Sequence, residues 1–447
     1  MKKEIVINSL NIDFKGEFKL NNQLFTIPGV INGEKVLVEV DDNPRFKKAK
    51  LLKIITPSKN RVNPICPIFN KCGGCSLQHI KYQEQLVLKT KWMNDLFYNK
   101  FKKNFNIPLV LGMKDPKHYR NKNQMVIKKD KNKIIAGMYE EGTHQVLDFN
   151  NCFIQDEIIN KVQEQIKKLI IEFKYQPFDE DKKTGLFRHI LVKRSSSTKE
   201  ILVVLVTSKL DFPGKNNFVK ALIKLNKEIT SVVQNVNDRK TSAVLGEKEV
   251  VLYGPGFIFD NLLDKKFKIT SKSFYQINSL QTEVLYQTAI KEANLSKDDI
   301  LLDAYAGVGT IGLICADKVK KVYSVEIVKD AVKCGKDNAK YNNISNVVFV
   351  NDDATKYINE LAQRKEHIDV IIMDPPRSGS TKEFLNAVKL IKPKKIVYVS
   401  CNPITQVDDL EYLLDQYTIK SIQGVDMFPF TNHVETITLL CLKEPKK

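Results

Sequence analysis

Six short apolar runs constrain this chain most. They fall at 300–302, 321–325, 347–350, 368–373, 395–400 and 437–442, and helical segments separate most of them. Strand-length apolar runs alternating with helices are the rhythm of a doubly wound α/β sheet, here over residues 266–447. Open sheets of this kind bind ligands at the carboxyl ends of their strands. Polar residues directly after each run are therefore the first candidates for chemistry.

The first run leads into Asp303-Ala304-Tyr305-Ala306-Gly307-Val308-Gly309-Thr310-Ile311-Gly312, a strand end, a tight glycine turn and a helix start. Glycine lets backbone approach a ligand closely. Gly307, Gly309 and Gly312 also satisfy the dinucleotide spacing, so the loop alone does not separate NAD from S-adenosylmethionine (AdoMet). Glu326 ends the second run, where an acid can bind ribose hydroxyls. Asp303 lies where it would hold a ligand amino group and repel a pyrophosphate. Asp353 follows the third run; it can bind an adenine amine or simply cap a helix.

Asp374, in Asp374-Pro375-Pro376-Arg377, ends the fourth run, and Cys401, in Ser400-Cys401-Asn402-Pro403, ends the fifth. Glu435 directly precedes the last run. If that strand runs antiparallel to the others, Glu435 comes to the same edge as Cys401 and Asp374. A nucleophile, a base and a methyl-donor loop in one domain are what C5 methylation of a pyrimidine needs. A thiolate adds at C6, which makes C5 nucleophilic, and a base later removes the C5 proton. Asp374 is expected to hydrogen-bond the base edge. Asp-Pro-Pro also occurs in enzymes that methylate exocyclic amines, which need no thiol.

The rest of the chain reads as accessory. Residues 1–57 contain short strand-like runs (5–10, 18–25, 36–40) and a basic stretch, 45–50, in the manner of a small RNA-binding barrel. Residues 58–265 are mixed α/β, with helices at 82–101 and 157–173 and a buried strand at 201–206. Their basic stretch 114–133 is either a phosphate-contacting surface or a solvated hairpin. Cys66, Cys72 and Cys75 lie in a glycine-rich loop. Three thiolates need a fourth ligand for zinc or a four-iron cluster, and Cys152 is the remaining candidate outside the sheet domain. Net charge is 71 − 52 = +19, which favours a polyanionic partner. No run is long enough to span a membrane, so a cytoplasmic protein with no membrane partner, acting as a monomer, is expected.

In combination, the cysteine group, Phe274-Tyr275-Gln276-Ile277-Asn278, residues 303–309, Asp374-Pro375-Pro376-Arg377, Ser400-Cys401-Asn402-Pro403 and His433-Val434-Glu435 resemble a bacterial RNA 5-methyluridine methyltransferase of the rRNA uracil-C5 family, over nearly the whole chain. The resemblance implies a TRAM (OB-like) β-barrel at 1–57. It implies a central α/β domain at 58–265 with a [4Fe-4S] cluster on Cys66, Cys72, Cys75 and Cys152. Residues 266–447 would be a Rossmann-like class I methyltransferase domain. Gln276, Tyr305, Glu326 and Asp374 would contact AdoMet, Cys401 would be the nucleophile and Glu435 the base. Phe430 stands where the family often has His, and Ala306 where it often has Cys. The cluster favours 23S rRNA as substrate over the tRNA T-loop uridine, because bacterial tRNA members typically lack cluster and barrel. A non-enzymatic RNA-binding protein is the competing class and would not need Cys401 and Glu435.

Overall fold

The computed structural model describes residues 1–40, 49–239 and 243–444. Near the N-terminus, Lys2–Val6, Lys35–Val40 and Ala49–Thr56 form one antiparallel sheet, and Ser9–Leu10, Gly16–Leu20 and Gln23–Ile27 form another. Val36, Val38 and Val40 alternate inward and pack with Ile7, Phe18, Phe25 and Ile27. The run expected at 18–25 is a hairpin. Asn21 and Asn22 both have positive φ (50° and 59°), as a tight two-residue turn requires, and Phe18 stacks on Phe25 at 5.4 Å. Of the basic stretch 45–50, residues 45–48 lie outside the described residues.

A seven-stranded mixed sheet follows, ordered Lys248–Tyr253, Ile229–Val236, Ile201–Thr207, Phe187–Arg194, Lys122–Asp130, Lys133–Tyr139, Val146–Asp148. The basic stretch 114–133 thus supplies the first strand and the turn of a hairpin that ends at Tyr139. Helices Glu157–Glu172 and Lys215–Leu225 pack on this sheet through Ile159, Val162, Ile166, Phe218 and Leu222. Asp156 caps the first of them by accepting from the Ile158 and Ile159 N–H groups. Ahead of the sheet, helix Tyr82–Phe101 reaches across to the C-terminal sheet.

That C-terminal sheet has strands β1 (Ile300–Ala304), β2 (Lys321–Glu326), β3 (Val347–Asn351), β4 (Val370–Met373), β5 (Lys395–Ser400), β6 (Tyr417–Val425) and β7 (Glu435–Leu442). Their order is β3-β2-β1-β4-β5-β7-β6. β1 to β5 are parallel; β7 inserts antiparallel between β5 and β6. Successive residues feed two cores. Val370, Ile372, Val397 and Val399 face helix Ser279–Ala293, whereas Ile371, Met373, Ile396 and Tyr398 face helices Lys382–Ile391 and Pro403–Leu413. Strands covered on both faces are continuously apolar, which is why they stand out in the sequence. Among the described residues no helix is long and apolar enough to cross a membrane.

Candidate active site

The carboxyl ends of β1, β2, β4 and β5 open into a cavity of about 670 Å³. The glycine loop forms part of its wall. Buried Asp303, in β1, organises it: Oδ2 accepts from the Gly312 N–H (2.9 Å) and from Ser324 Oγ (3.2 Å). Tyr305, Gly307 and Gly309 all take positive φ (62°, 56° and 75°), so the chain turns sharply before helix Thr310–Cys315. The two glycines serve different ends. A Cβ on Gly309 would meet Phe349 Cε1 at 2.5 Å, whereas one on Gly307 would meet nothing within 4 Å and would project into open space. Gly307 N–H donates to Glu326 Oε2 (2.9 Å) at the end of β2. Asp353 caps helix Ala354–Gln363 through Oδ1, accepting from the Thr355 and Lys356 N–H groups, while still lining the cavity. Gln276 lines the cavity too, its carbonyl fixed by Asn121 Nδ2 at 2.9 Å.

Three further groups come from three different strand ends. Asp374 directly follows β4 and Cys401 directly follows β5. Glu435 opens β7, and the Ser400↔Thr436 register sets it beside Cys401 across the antiparallel pair. All three line the cavity. The Cys401 backbone is held on both sides. Ser400 Oγ accepts from the Asn402 N–H (3.1 Å), and Asn402 Oδ1 caps helix Pro403–Leu413. Asn402 Nδ2 also donates to the Arg377 carbonyl (2.9 Å), which ties the two loops together.

The electrostatics follow from burial. Burial lifts the Asp303 carboxyl to about 7, with the Asp374 and Glu326 charges adding to it. Asp374 and Glu435 are both raised by burial, and Glu435 further by the charge of Asp374. Two neighbouring carboxyls resist double ionisation and titrate as a pair. The Cys401 thiol is pushed up to about 11 by burial and then by the Glu435 and Asp374 charges, while Arg377 opposes the rise. Arg377 lines the same cavity, as do Phe428 and His433, whose ring centroids lie 6.1 Å apart; none of the three was assigned a role from the sequence. Arg377 and His433 stood in motifs that carried the resemblance; Phe428 had only its proximity to Glu435 in the chain.

The cysteine group needs correction. Cys66, Cys72, Cys75 and Cys152 line one small cavity, so the four thiols do meet. Among the described residues, however, no group of three or more His, Cys, Asp or Glu side chains could hold a metal ion. Burial lifts Cys72 and Cys152 above the ordinary thiol value and Cys75 to about 12. Sharing a cavity wall is not enough for ligation, which needs several donor atoms converging on one point. The expected [4Fe-4S] cluster, and any metal-binding role for these residues, is withdrawn.

A family model described as tRNA (Uracil-5-)-methyltransferase matches residues 81–443. An uncharacterized RNA methyltransferase of Clostridium tetani is 41% identical over 99% of this chain and 97% of its own length. One from Oceanobacillus iheyensis is 40% identical over 98% of this chain and 96% of its own. Among solved structures, the Pyrococcus abyssi tRNA (uracil-54, C5)-methyltransferase in complex with S-adenosyl-L-homocysteine superposes with a TM-score of 0.77. It is 27% identical and covers 98% of this chain and 100% of that one. The C-terminal sheet is thus an α/β class I methyltransferase core, with smaller N-terminal antiparallel sheets beside it. The expected 23S rRNA substrate is overturned, because the family description and the solved relative both name tRNA. The preference for rRNA had rested on the iron–sulfur cluster, which is itself withdrawn.

Proposed function

The chain belongs to the tRNA (uracil-5-)-methyltransferase family, and on that premise we propose that it methylates C5 of a uridine in tRNA, with AdoMet as methyl donor. The T-loop uridine, position 54 of the tRNA in the solved relative, is the site we favour. The observation that carries this reading is that Cys401, Glu435 and Asp374 line the same cavity as the glycine loop. The cavity suits AdoMet. Gly307 leaves room for a ligand against the loop, and Asp303, Glu326, Asp353 and Asp374 supply negative charge for a cationic donor. Gln276, Tyr305, Gly307, Gly309 and these four acids would hold it. Bound there, AdoMet supplies the methyl group, carried on a sulfonium, that C5 takes up.

The chain's own groups do the rest. Cys401 Sγ, as thiolate, adds to C6 of the uracil and leaves electron density on C5. Arg377 favours that thiolate, since its charge acts against the rise of the thiol. Asp374 hydrogen-bonds the base edge. Once C5 is methylated, Glu435 takes the C5 proton, the C5=C6 bond re-forms, the C6–S bond breaks and Cys401 departs as thiolate. A raised carboxyl is matched to this task, because it is a stronger base than an ordinary glutamate. The base must be flipped out of folded RNA to reach the cavity. We read residues 1–57 as a TRAM-type RNA-binding barrel, 58–265 as a central RNA-contacting domain and 266–447 as the methyltransferase domain. The net charge of +19 supports a phosphate-rich partner.

The test is AdoMet-dependent methylation of tRNA and rRNA transcripts by the wild type and Cys401→Ala, with the modified base mapped. We expect 5-methyluridine in tRNA, absent with Cys401→Ala. Methylation of rRNA alone would overturn the substrate; an undiminished rate in the variant would overturn the mechanism.

A further inference from the structure

The segment 426–434 between β6 and β7 lines the cavity with Phe428 and His433 and delivers Glu435 to it. Much of its anchorage comes from a distant part of the chain, residues 76–119. The Phe430 carbonyl accepts from the Ser76 and Leu77 N–H groups, both at 2.9 Å. Phe430 N–H donates to Gln85 Oε1 at 3.1 Å, and Tyr119 Oη donates to the Pro429 carbonyl at 3.1 Å. The Asp426 carboxylate accepts from Lys89 Nζ (2.7 Å) and Tyr82 Oη (2.9 Å). Gln85 is the junction. It is fully buried, and its Nε2 donates to the Leu77 and Ile80 carbonyls (3.1 and 2.9 Å) while its Oε1 holds Phe430. One carboxamide therefore grips the loop behind Cys75 and the segment leading to Glu435 at the same time.

Two features are costly unless position matters. Phe430 has φ of 67°, a conformation an aromatic residue keeps only where its surroundings over-determine it. Lys89 and Asp426 form an ion pair with both side chains fully buried. Such pairs contribute little net stability, and setting register is their best-attested use. Phe430 and Asp426 lie on the strap, and Lys89 reaches it from helix Tyr82–Phe101; neither feature involves a reacting group.

We propose that Gln85 is a positioning residue for Glu435: with the Lys89–Asp426 pair it fixes the 426–434 strap and so aims the carboxylate at the C5 proton of the substrate. This rests on the reading of Glu435 as the base. A slack strap slows one step only. Cys401 still adds to C6 and C5 is still methylated, but proton removal and the expulsion of Cys401 lag, so the methylated protein–RNA adduct builds up.

The experiment uses the full chain, a tRNA transcript and AdoMet with a labelled methyl group, quenched in SDS. It compares the wild type with Gln85→Leu and with Phe430→Ala, which loosens the strap at a half-buried site. Released product should fall by about 10- to 100-fold while the labelled SDS-stable adduct rises and S-adenosylhomocysteine affinity stays unchanged. Should Gln85→Leu fail to fold, Phe430→Ala carries the same expectation. Product at the wild-type rate in a folded variant would overturn the proposal, as would parallel loss of adduct and product. A wild type that forms neither would remove the reading of Glu435, and the clamp with it.

Discussion

Replacing Asp303 by Asn should stabilise the ligand-free protein above neutral pH. Asp303 is 1% exposed, and burial holds its carboxyl at about 7 against an ordinary 3.8. Between those values the folded protein keeps a proton that the unfolded chain has released. Stability therefore falls as pH rises through that window and levels off above about 7. A gap of about 3 pH units corresponds to about 4 kcal/mol at pH 8, and water in the open cleft lowers this to about 2–4 kcal/mol. Asn keeps a carbonyl oxygen for the Gly312 N–H and Ser324 hydroxyl, so the loop's own bonds survive the change. Each kcal/mol moves Tm by about 2–4 °C for a domain of this size, so the variant should melt at least roughly 4 °C higher at pH 8. The advantage should shrink with falling pH and close near about pH 3, below the ordinary carboxyl value of 3.8, where neither state of the wild type is ionised at this site. Thermal melts of both proteins across that range, without cofactor, measure it. Calorimetry with S-adenosylhomocysteine should show affinity falling by about 10- to 100-fold, the cost of a lost charged hydrogen bond. A variant no more stable than the wild type at pH 8, or equally favoured at every pH, would refute the reasoning.

Three further outcomes are expected. Glu435→Gln should lower product release by about 10²-fold or more while an SDS-stable protein–RNA adduct accumulates; equal loss of both would remove Glu435 from the elimination step. Arg377→Met should move the pH profile of adduct formation to higher pH, because Arg377 holds the Cys401 thiol down; single-turnover rates read this directly, and an unmoved profile would discard that role. Gly309→Ala should lose about 1–3 kcal/mol in urea unfolding, since its Cβ would lie 2.5 Å from Phe349 Cε1 at a φ of 75°; unchanged stability would mean Phe349 yields freely.

The sequence reveals what burial writes continuously and conceals what pairing decides. β1, β4 and β5 are legible because both faces are covered, leaving apolar runs; the edge strand β3 is only half-buried and shows itself by its Val347-Val348-Phe349-Val350 run alone. β6 is not legible: it packs Tyr417, Ile419 and Ile422 inward, and the register shift between Ile419 and Ser421 breaks the alternation. That omission matters to the site. The expectation that Glu435 meets Cys401 depends on an antiparallel last strand, and β7 is returned in that direction by β6. The hairpin at 18–25 is hidden for a different reason, since two Asn residues can continue a run or reverse it. Asp353 shows where residue type underdetermines role: it is a helix cap in the fold whatever else it touches. Arg377 stayed unread because its place follows from a bond between two loops, Asn402 Nδ2 to the Arg377 carbonyl, that chain order does not announce. The cysteines were read correctly as neighbours and wrongly as ligands, because spacing shows that thiols can share a loop but not whether their sulfur atoms converge on one point.

The charge distribution resolves the ambiguity that the glycine loop leaves. Gly307, Gly309 and Gly312 would serve a dinucleotide as well as AdoMet by spacing alone. The acids around them would not. Asp303, Glu326, Asp353, Asp374 and Glu435 share one cavity in a chain whose net charge is +19. A pyrophosphate entering there meets carboxylates in partly desolvated surroundings, where repulsion is stronger than in water. A sulfonium with an α-amino group meets the same carboxylates as partners. The excess of basic residues elsewhere is free to meet RNA phosphates. Such a surface draws in the polyanion, while the acidic cavity admits only its uncharged base. On the proposed function, the arrangement would keep the RNA backbone at the rim and bring uracil to Cys401, and it would account for buried acids that destabilise the cavity when no cation is bound.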